Sequence, residues 1–156
     1  MPNILKLLLS IIICQLPGLI GGFFVVDSML PWYGPLNKPS ISPPNWVFAP
    51  VWATLYLLMG ISMFLIWKEG LKNKYVKETF ILFIIQLVFN TAWTIVFFGA
   101  HSIAGGLLVI AILLILILLC IKKFMKISKP AAILLIPYLL WSAFAFTLNY
   151  FIFKLN

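Results

Sequence analysis

Five apolar stretches, Ile4–Val26, Trp46–Trp67, Thr79–Phe98, Ile103–Ile121 and Ala131–Phe153, each run for 19 to 23 residues. A helix needs about 20 residues to cross a hydrocarbon core about 30 Å thick, so each stretch is a membrane span by length. In lipid, backbone N–H and C=O groups must be satisfied within the protein, which leaves helices or a closed barrel. A barrel needs alternating segments of about ten residues, and these long apolar runs exclude one. Composition agrees. The chain is 64% hydrophobic and only 9% charged, against about 45–50% and about 25% in soluble domains. The expected architecture is an all-α membrane protein: one transmembrane domain over residues 1–156, built as a five-helix bundle with no room for a soluble domain.

The formal net charge of +8 does not indicate a nucleic-acid partner. All eleven basic residues are Lys, and none is the Arg that reads bases and phosphates in bidentate fashion. Nine of them, Lys6, Lys68, Lys72, Lys74, Lys77, Lys122, Lys123, Lys126 and Lys129, fall on the side shared by the N-terminus and the second and fourth loops. Only Lys38 and Lys154 fall on the other. For a multi-pass protein of the cell membrane, the positive-inside rule then predicts a cytoplasmic N-terminus and an external first loop. Lys6 followed by Leu7–Ile13 has the look of a signal peptide. No small-residue cleavage site follows, so a retained first helix is expected. Cys14 and Cys120 lie inside apolar runs and read as packing residues.

The first connection, roughly Asp27 to Asn45, carries Pro31, Pro35, Pro39, Pro43 and Pro44. Prolines at this density forbid a helix and stiffen the path. The same loop holds Met29, Leu30, Trp32, Tyr33, Leu36 and Ile41, too apolar for a linker in water. It is expected to fold back as a lid; the alternative is an aromatic belt at headgroup level. Polar and aromatic residues recur at helical spacing within the spans. They are Gln15, Gly18, Gly22 and Val26 on the first; Trp52, Tyr56, Met59, Met63 and Trp67 on the second; Gln86, Asn90, Trp93 and Thr94 on the third; and Tyr138, Trp141, Ser142, Ala145 and Asn149 on the fifth. Polar members of such stripes also serve to hold helices together, at about 0.6 kcal/mol each, and this plainer role suits Gln86 and Asn149. A belt position accounts for Trp46 and Trp67 but less well for Trp52, Trp93 and Trp141. The latter suit a cavity for a large planar apolar ligand, stacked on indoles and oriented by an amide or indole N–H.

Conventional catalysis has no raw material. The only acids are Asp27, Glu69 and Glu78, and the only histidine is His101. No carboxylate pair, nucleophile set, phosphate loop or metal cluster can be assembled from them. His101 reads as a solvated turn residue rather than a haem ligand. Gly18-x-x-x-Gly22 is a close-approach pattern for helices. The cholesterol-type pattern occurs at Leu148, Tyr150 and Lys154. It occurs again at Leu71, Tyr75 and Lys77 in a charged loop, which shows how little it discriminates.

The stretch Trp32-Tyr33-x-x-Leu36-x-Lys38-Pro39-x-x-x-Pro43-Pro44-x-Trp46-x-Phe48-x-Pro50-Val51-Trp52 resembles the tryptophan-rich sensory protein / translocator protein family (TspO/MBR, the peripheral-type benzodiazepine receptors). Asn90-x-x-Trp93, Pro137-Tyr138-x-x-Trp141 and Leu148-Asn149-Tyr150 match its later motifs. The resemblance covers essentially the whole chain and looks bacterial. It implies a membrane receptor or transporter that binds porphyrins and benzodiazepine-site ligands, often as a homodimer. Carried over residue by residue, it implies a pocket of Tyr33, Pro43, Trp52, Asn90, Trp93, Trp141 and Ala145, with Lys38 as the nearest cation for a propionate. Sterol binding, implied for eukaryotic members, is not expected here, where Lys154 stands in place of a frequent Arg. No cofactor is expected; the porphyrin enters as ligand or substrate. The alternative is light-dependent oxidation of bound protoporphyrin with Trp52 and Trp141 as partners. A further one is a structural or regulatory partner in a membrane complex.

Overall fold

A computed structural model describes residues 1–156. It is all-helical: α1 (Asn3–Ser28), α2 (Phe48–Trp67), α3 (Lys74–Thr94), α4 (Ile103–Met125), α5 (Lys129–Leu134) and α6 (Ile136–Leu155). Counted with their flanking turns, five helical segments are long and apolar enough to cross a membrane, with α5 and α6 together forming the fifth. Local chemistry sets their ends. Asn73 Oδ1 accepts from the N–H of Tyr75 and Val76 at the start of α3. Ser102 Oγ caps α4 through Gly105 N–H, and Ser128 Oγ caps α5 through Ala131 N–H. Each cap satisfies amide groups that the first helical turn leaves free.

The helices differ from the apolar stretches in instructive ways. Helix α3 begins at Lys74 rather than Thr79, because hydropathy marks the lipid boundary whereas the Asn73 cap marks the helix start. Helix α4 runs past Ile121 through Lys122 and Lys123 to Met125 for the same reason, with the lysines favourable at its C-terminal end. The largest departure is at the first connection. Helix α1 does not stop at Val26 but passes through Ser28 into a π turn, Met29–Tyr33, that contains Pro31. Gly34 N–H donates to Met29 O, five residues back, at 2.8 Å. Pro31, which has no N–H to donate, is carried inside this wider turn, so the non-helical loop is only residues 34–44. A second π turn, Ile95–Gly99, ends the third span, with Ala100 N–H donating to Ile95 O at 2.8 Å.

Around the bundle, α1 packs on α2 and α3, α3 on α4, and α4 on α6. The fifth span meets α2 mainly through α5, with Ser62 Oγ donating to Ala131 O at 2.7 Å. Beyond the break at Leu135, α6 stays against α4 and has little contact with α2. Pro137 is the second residue of α6, a position where its missing N–H costs α6 nothing but cannot carry the α5 ladder across the break. The solid core therefore fills the Lys-rich half, around Met59, Met63, Phe83, Ile117, Phe124 and Tyr138. Helices α1 and α2 approach closely at Gly60, where an added Cβ would stand 2.7 Å from Ile11 Cα. Toward the first loop, the divergence of α2 and α6 leaves space.

Candidate functional site

That space is a cavity of about 390 Å³ bounded by α1, α2, α3, α6 and both π turns. It lies within the range of pockets for small organic ligands. Helix α1 contributes Gln15, Pro17, Gly18, Leu19, Gly21, Gly22 and Val25. Helix α2 and its entry contribute Asn45, Phe48, Ala49, Trp52, Ala53 and Tyr56. Trp93, Thr94, Phe97 and Phe98 come from the third span, and Ala145, Leu148, Asn149 and Ile152 from α6. Met29 and Tyr33 close the loop end.

Aromatic rings form most of one wall. Trp52 lies 6.0 Å from Trp93 and 5.6 Å from Tyr56, in the latter case nearly parallel. Trp93 is oriented by α6: its Nε1–H donates to Asn149 Oδ1 at 3.1 Å, and Asn149 Nδ2 donates to Ile103 O at 3.0 Å. Tyr33 is buried against Phe97 and Phe98. The adjacent Trp32 turns away from the cavity and stacks on His101 at 4.6 Å. Ser28 Oγ donates to Phe98 O, so it accepts from His101 Nε2–H at 3.0 Å. His101 itself occupies the left-handed region, with φ of 53° in the tight turn before α4.

Of the residues expected in the pocket, Tyr33, Trp52, Trp93 and Ala145 line the cavity. Asn90 does not. It is buried behind Tyr56, whose hydroxyl donates to Asn90 Oδ1 at 2.9 Å, while Asn90 Nδ2 donates to Tyr138 Oη at 3.0 Å. Tyr138 in turn donates to Gln86 Oε1 at 2.8 Å. Asn90 is thus the hub that holds the cavity floor. Trp141 also stands outside the lining, edge-on to Phe48 at 6.2 Å and against Phe144. Pro43 lies outside it too, and Asn45 takes the place at the cavity. Lys38 braces the loop: its Nζ donates to the carbonyls of Tyr33, Gly34 and Leu36 at 2.8–3.0 Å. All three ammonium protons are used, so contact with a ligand carboxylate requires exchanging one of these bonds.

Residues that sequence reasoning left out of the site include Tyr56, Phe97 and Asn149. Tyr56 and Asn149 were visible on the stripes with Trp52 and Ala145. Nothing in the spacing tells a residue that faces a void from one that faces a neighbour. Phe97 also continues the third-span stripe, four residues after Trp93 and three after Thr94, but as one Phe of an apolar run it carried no polar signal.

The fold and cavity define a multi-pass helical membrane protein with an aromatic, ligand-sized pocket beneath a proline-rich loop. The chain belongs to the TspO/MBR family, whose model matches residues 10–155. It is 41% identical over 154 residues to the tryptophan-rich protein TspO of Chlorobaculum tepidum, covering 99% of this chain and 98% of that one. To the archaeal tryptophan-rich protein TspO of Archaeoglobus fulgidus it is 43% identical, with 99% of each covered. To the human translocator protein it is 40% identical over 139 residues, covering 88% of this chain and 82% of that one.

Proposed function

We propose that this protein is a receptor or carrier for a flat tetrapyrrole, held in the cavity under the first loop. The supporting observation is the pair of indoles, Trp52 and Trp93, 6.0 Å apart on the wall of a 390 Å³ apolar space. Such rings offer large, rigid stacking surfaces, and benzodiazepine-site ligands share the planar aromatic character that the wall accepts. The macrocycle binds as ligand, not as a resident cofactor. Its propionates stay at the loop end, where Lys38 is the nearest cation once a carbonyl is released. Tyr33, Trp52, Trp93 and Ala145 contact the ligand, while Asn90, Trp141 and Pro43 support those contacts from behind. The protein sits in the cell membrane as a homodimer, with its N-terminus cytoplasmic and the first loop external.

The test is titration of purified protein with protoporphyrin IX, following Trp emission. Saturable quenching that weakens about tenfold in Trp52→Ala supports the reading; each 1.4 kcal/mol of lost contact is a factor of ten. Quenching that never saturates refutes it. A second reading, light-dependent oxidation of bound protoporphyrin by dioxygen, draws support from the two oxidisable indoles at the wall. Under illumination it requires bleaching of the Soret band that is lost in Trp52→Phe. A band that survives illumination leaves binding alone. Trp141→Phe separates direct from indirect participation, since Phe48 lies between that indole and the cavity.

A further inference from the structure

The two ends of the cavity wall differ in how they are closed. On the loop side the closure is tied down. Lys38 spends its three donors on loop carbonyls. Asn37 N–H donates to Asn156 Oδ1 at 3.0 Å, and Asn156 Nδ2 returns a bond to Asn37 O at 2.9 Å. Asn37 Nδ2 adds a third, to Leu155 O at 3.3 Å. Loop and α6 are thereby joined across the water-facing mouth.

On the lipid side the wall is open. Gly18, Leu19 and Gly22 line the cavity and also line a shallow groove on the outer face of α1, which continues over Phe23 and Val26 to Asp27. Leu19 contributes to the cavity and is nevertheless 64% exposed. The three glycines of this helix are not equivalent. A Cβ at Gly18 would stand 2.8 Å from the Tyr56 ring, and one at Gly21 would stand 2.8 Å from Thr94. Helix packing explains both. At Gly22 a Cβ meets nothing within 4 Å, so packing does not call for glycine there. What glycine provides at this position is a gap.

We propose that the cavity is loaded sideways from the bilayer, through a window framed by Gly18, Leu19 and Gly22, with the outer groove of α1 as vestibule. The inference rests on the ligand-binding reading above and adds the route. The ligand class is a lipid-dissolved planar molecule that enters apolar edge first. The groove is apolar up to Asp27, whose carboxylate at the loop end disfavours an anionic leading edge.

The experiment compares the native chain with Gly22→Leu, Gly22→Ala and Asn37→Ala in phosphatidylcholine nanodiscs. Stopped-flow Trp quenching by protoporphyrin IX gives association and release rates. Gly22→Leu is expected to slow both by about tenfold and leave Kd within about threefold, because a plug in a door acts on both directions of passage. Gly22→Ala and Asn37→Ala are expected to keep rates within about twofold of native, since neither alters the window much. Unchanged rates in Gly22→Leu, or faster association in Asn37→Ala, overturn the proposal in favour of entry from water. Weaker affinity of Gly22→Leu at an unchanged association rate also overturns it, making Gly22 a wall and not a door. Lipids brominated in mid-chain provide a ligand-free readout. Trp46, 75% exposed, is quenched alike in all variants, and the excess from cavity indoles is expected to fall in Gly22→Leu. Equal quenching there overturns the window even where protoporphyrin fails to bind, whereas failed binding with a Gly22-dependent excess sinks only the ligand assignment.

Discussion

Asn149 shows how a single amide at the cavity wall is engaged on both sides. Its oxygen accepts from Trp93 and its nitrogen donates to Ile103 O, so the indole plane is held against rotation by α4 and α6 together. Asn149→Ala leaves the Trp93 indole N–H without its partner in a largely apolar site, at a cost of about 1–3 kcal/mol. The expected result is a lower melting temperature in detergent and broader Trp emission, with weaker quenching by ligand. Native-like values in both would remove Asn149 from the site. Tyr56 and Asn90 bear on the floor in unequal ways. Tyr56→Phe removes one bond to Asn90, whereas Asn90→Ala strands the hydroxyl of Tyr56 and the bond from Asn90 to Tyr138 as well. Asn90→Ala is therefore expected to be the more destabilising by about 1 kcal/mol or more, read from paired thermal or denaturant melts. The spacing alone placed Asn90 on the same stripe as Trp93. It could not say that Tyr56 would stand between Asn90 and the void.

At the scale of elements, the departures from regular α-helix shape the cavity, the two π turns from its border and the break at Leu135 from the solid core beyond it. The two π turns present Tyr33 from one side and Phe97 and Phe98 from the other. The break at Leu135 lets α5 hold α2 while α6 leans on α4. Pro137→Ala restores a donor and removes the ring clash, which favours one continuous helix. A straighter fifth span brings α6 toward α2 and narrows the cavity. The expected outcome is unchanged or higher stability with reduced ligand affinity, checked by melting and by Trp quenching. Equal affinity would show that the break does not create the space. The loop over residues 34–44 is held by Lys38 and by the Asn37–Asn156 exchange. Lys38→Met removes three charge-assisted bonds to carbonyls and should raise the rate of limited proteolysis in this loop several-fold, about what the loss of 1 kcal/mol of local closure produces.

For the whole molecule, large apolar side chains cover the outside as well as the inside. Phe23, Val26, Val88, Leu108, Ile115 and Leu140 are all more than half exposed, as a lipid-facing surface requires. Four polar side chains of the spans turn inward and bond to one another, along the chain Tyr56–Asn90–Tyr138–Gln86. A ligand that binds only the folded state stabilises it by an amount that grows with the logarithm of its free concentration relative to Kd. Protoporphyrin at about a hundred times its Kd is expected to add about 2.7 kcal/mol, seen as a rise in melting temperature of the native protein and a smaller one for Trp52→Ala. Equal shifts in both would place the porphyrin outside the cavity.

The run lengths, the near absence of charge and the spacing of indoles and amides were enough to determine five membrane helices, the family and most of the elements that border the site. These are properties of each segment alone, because lipid obliges every span to satisfy its own backbone whatever its neighbours do. Which residues meet empty space was decided by tertiary structure. It depends on where α6 leaves α2, on two turns that shift the helical phase by one residue, and on whether a glycine faces Tyr56, Thr94 or nothing. A void is made by the surfaces of several helices at once, and no single stretch of sequence contains it.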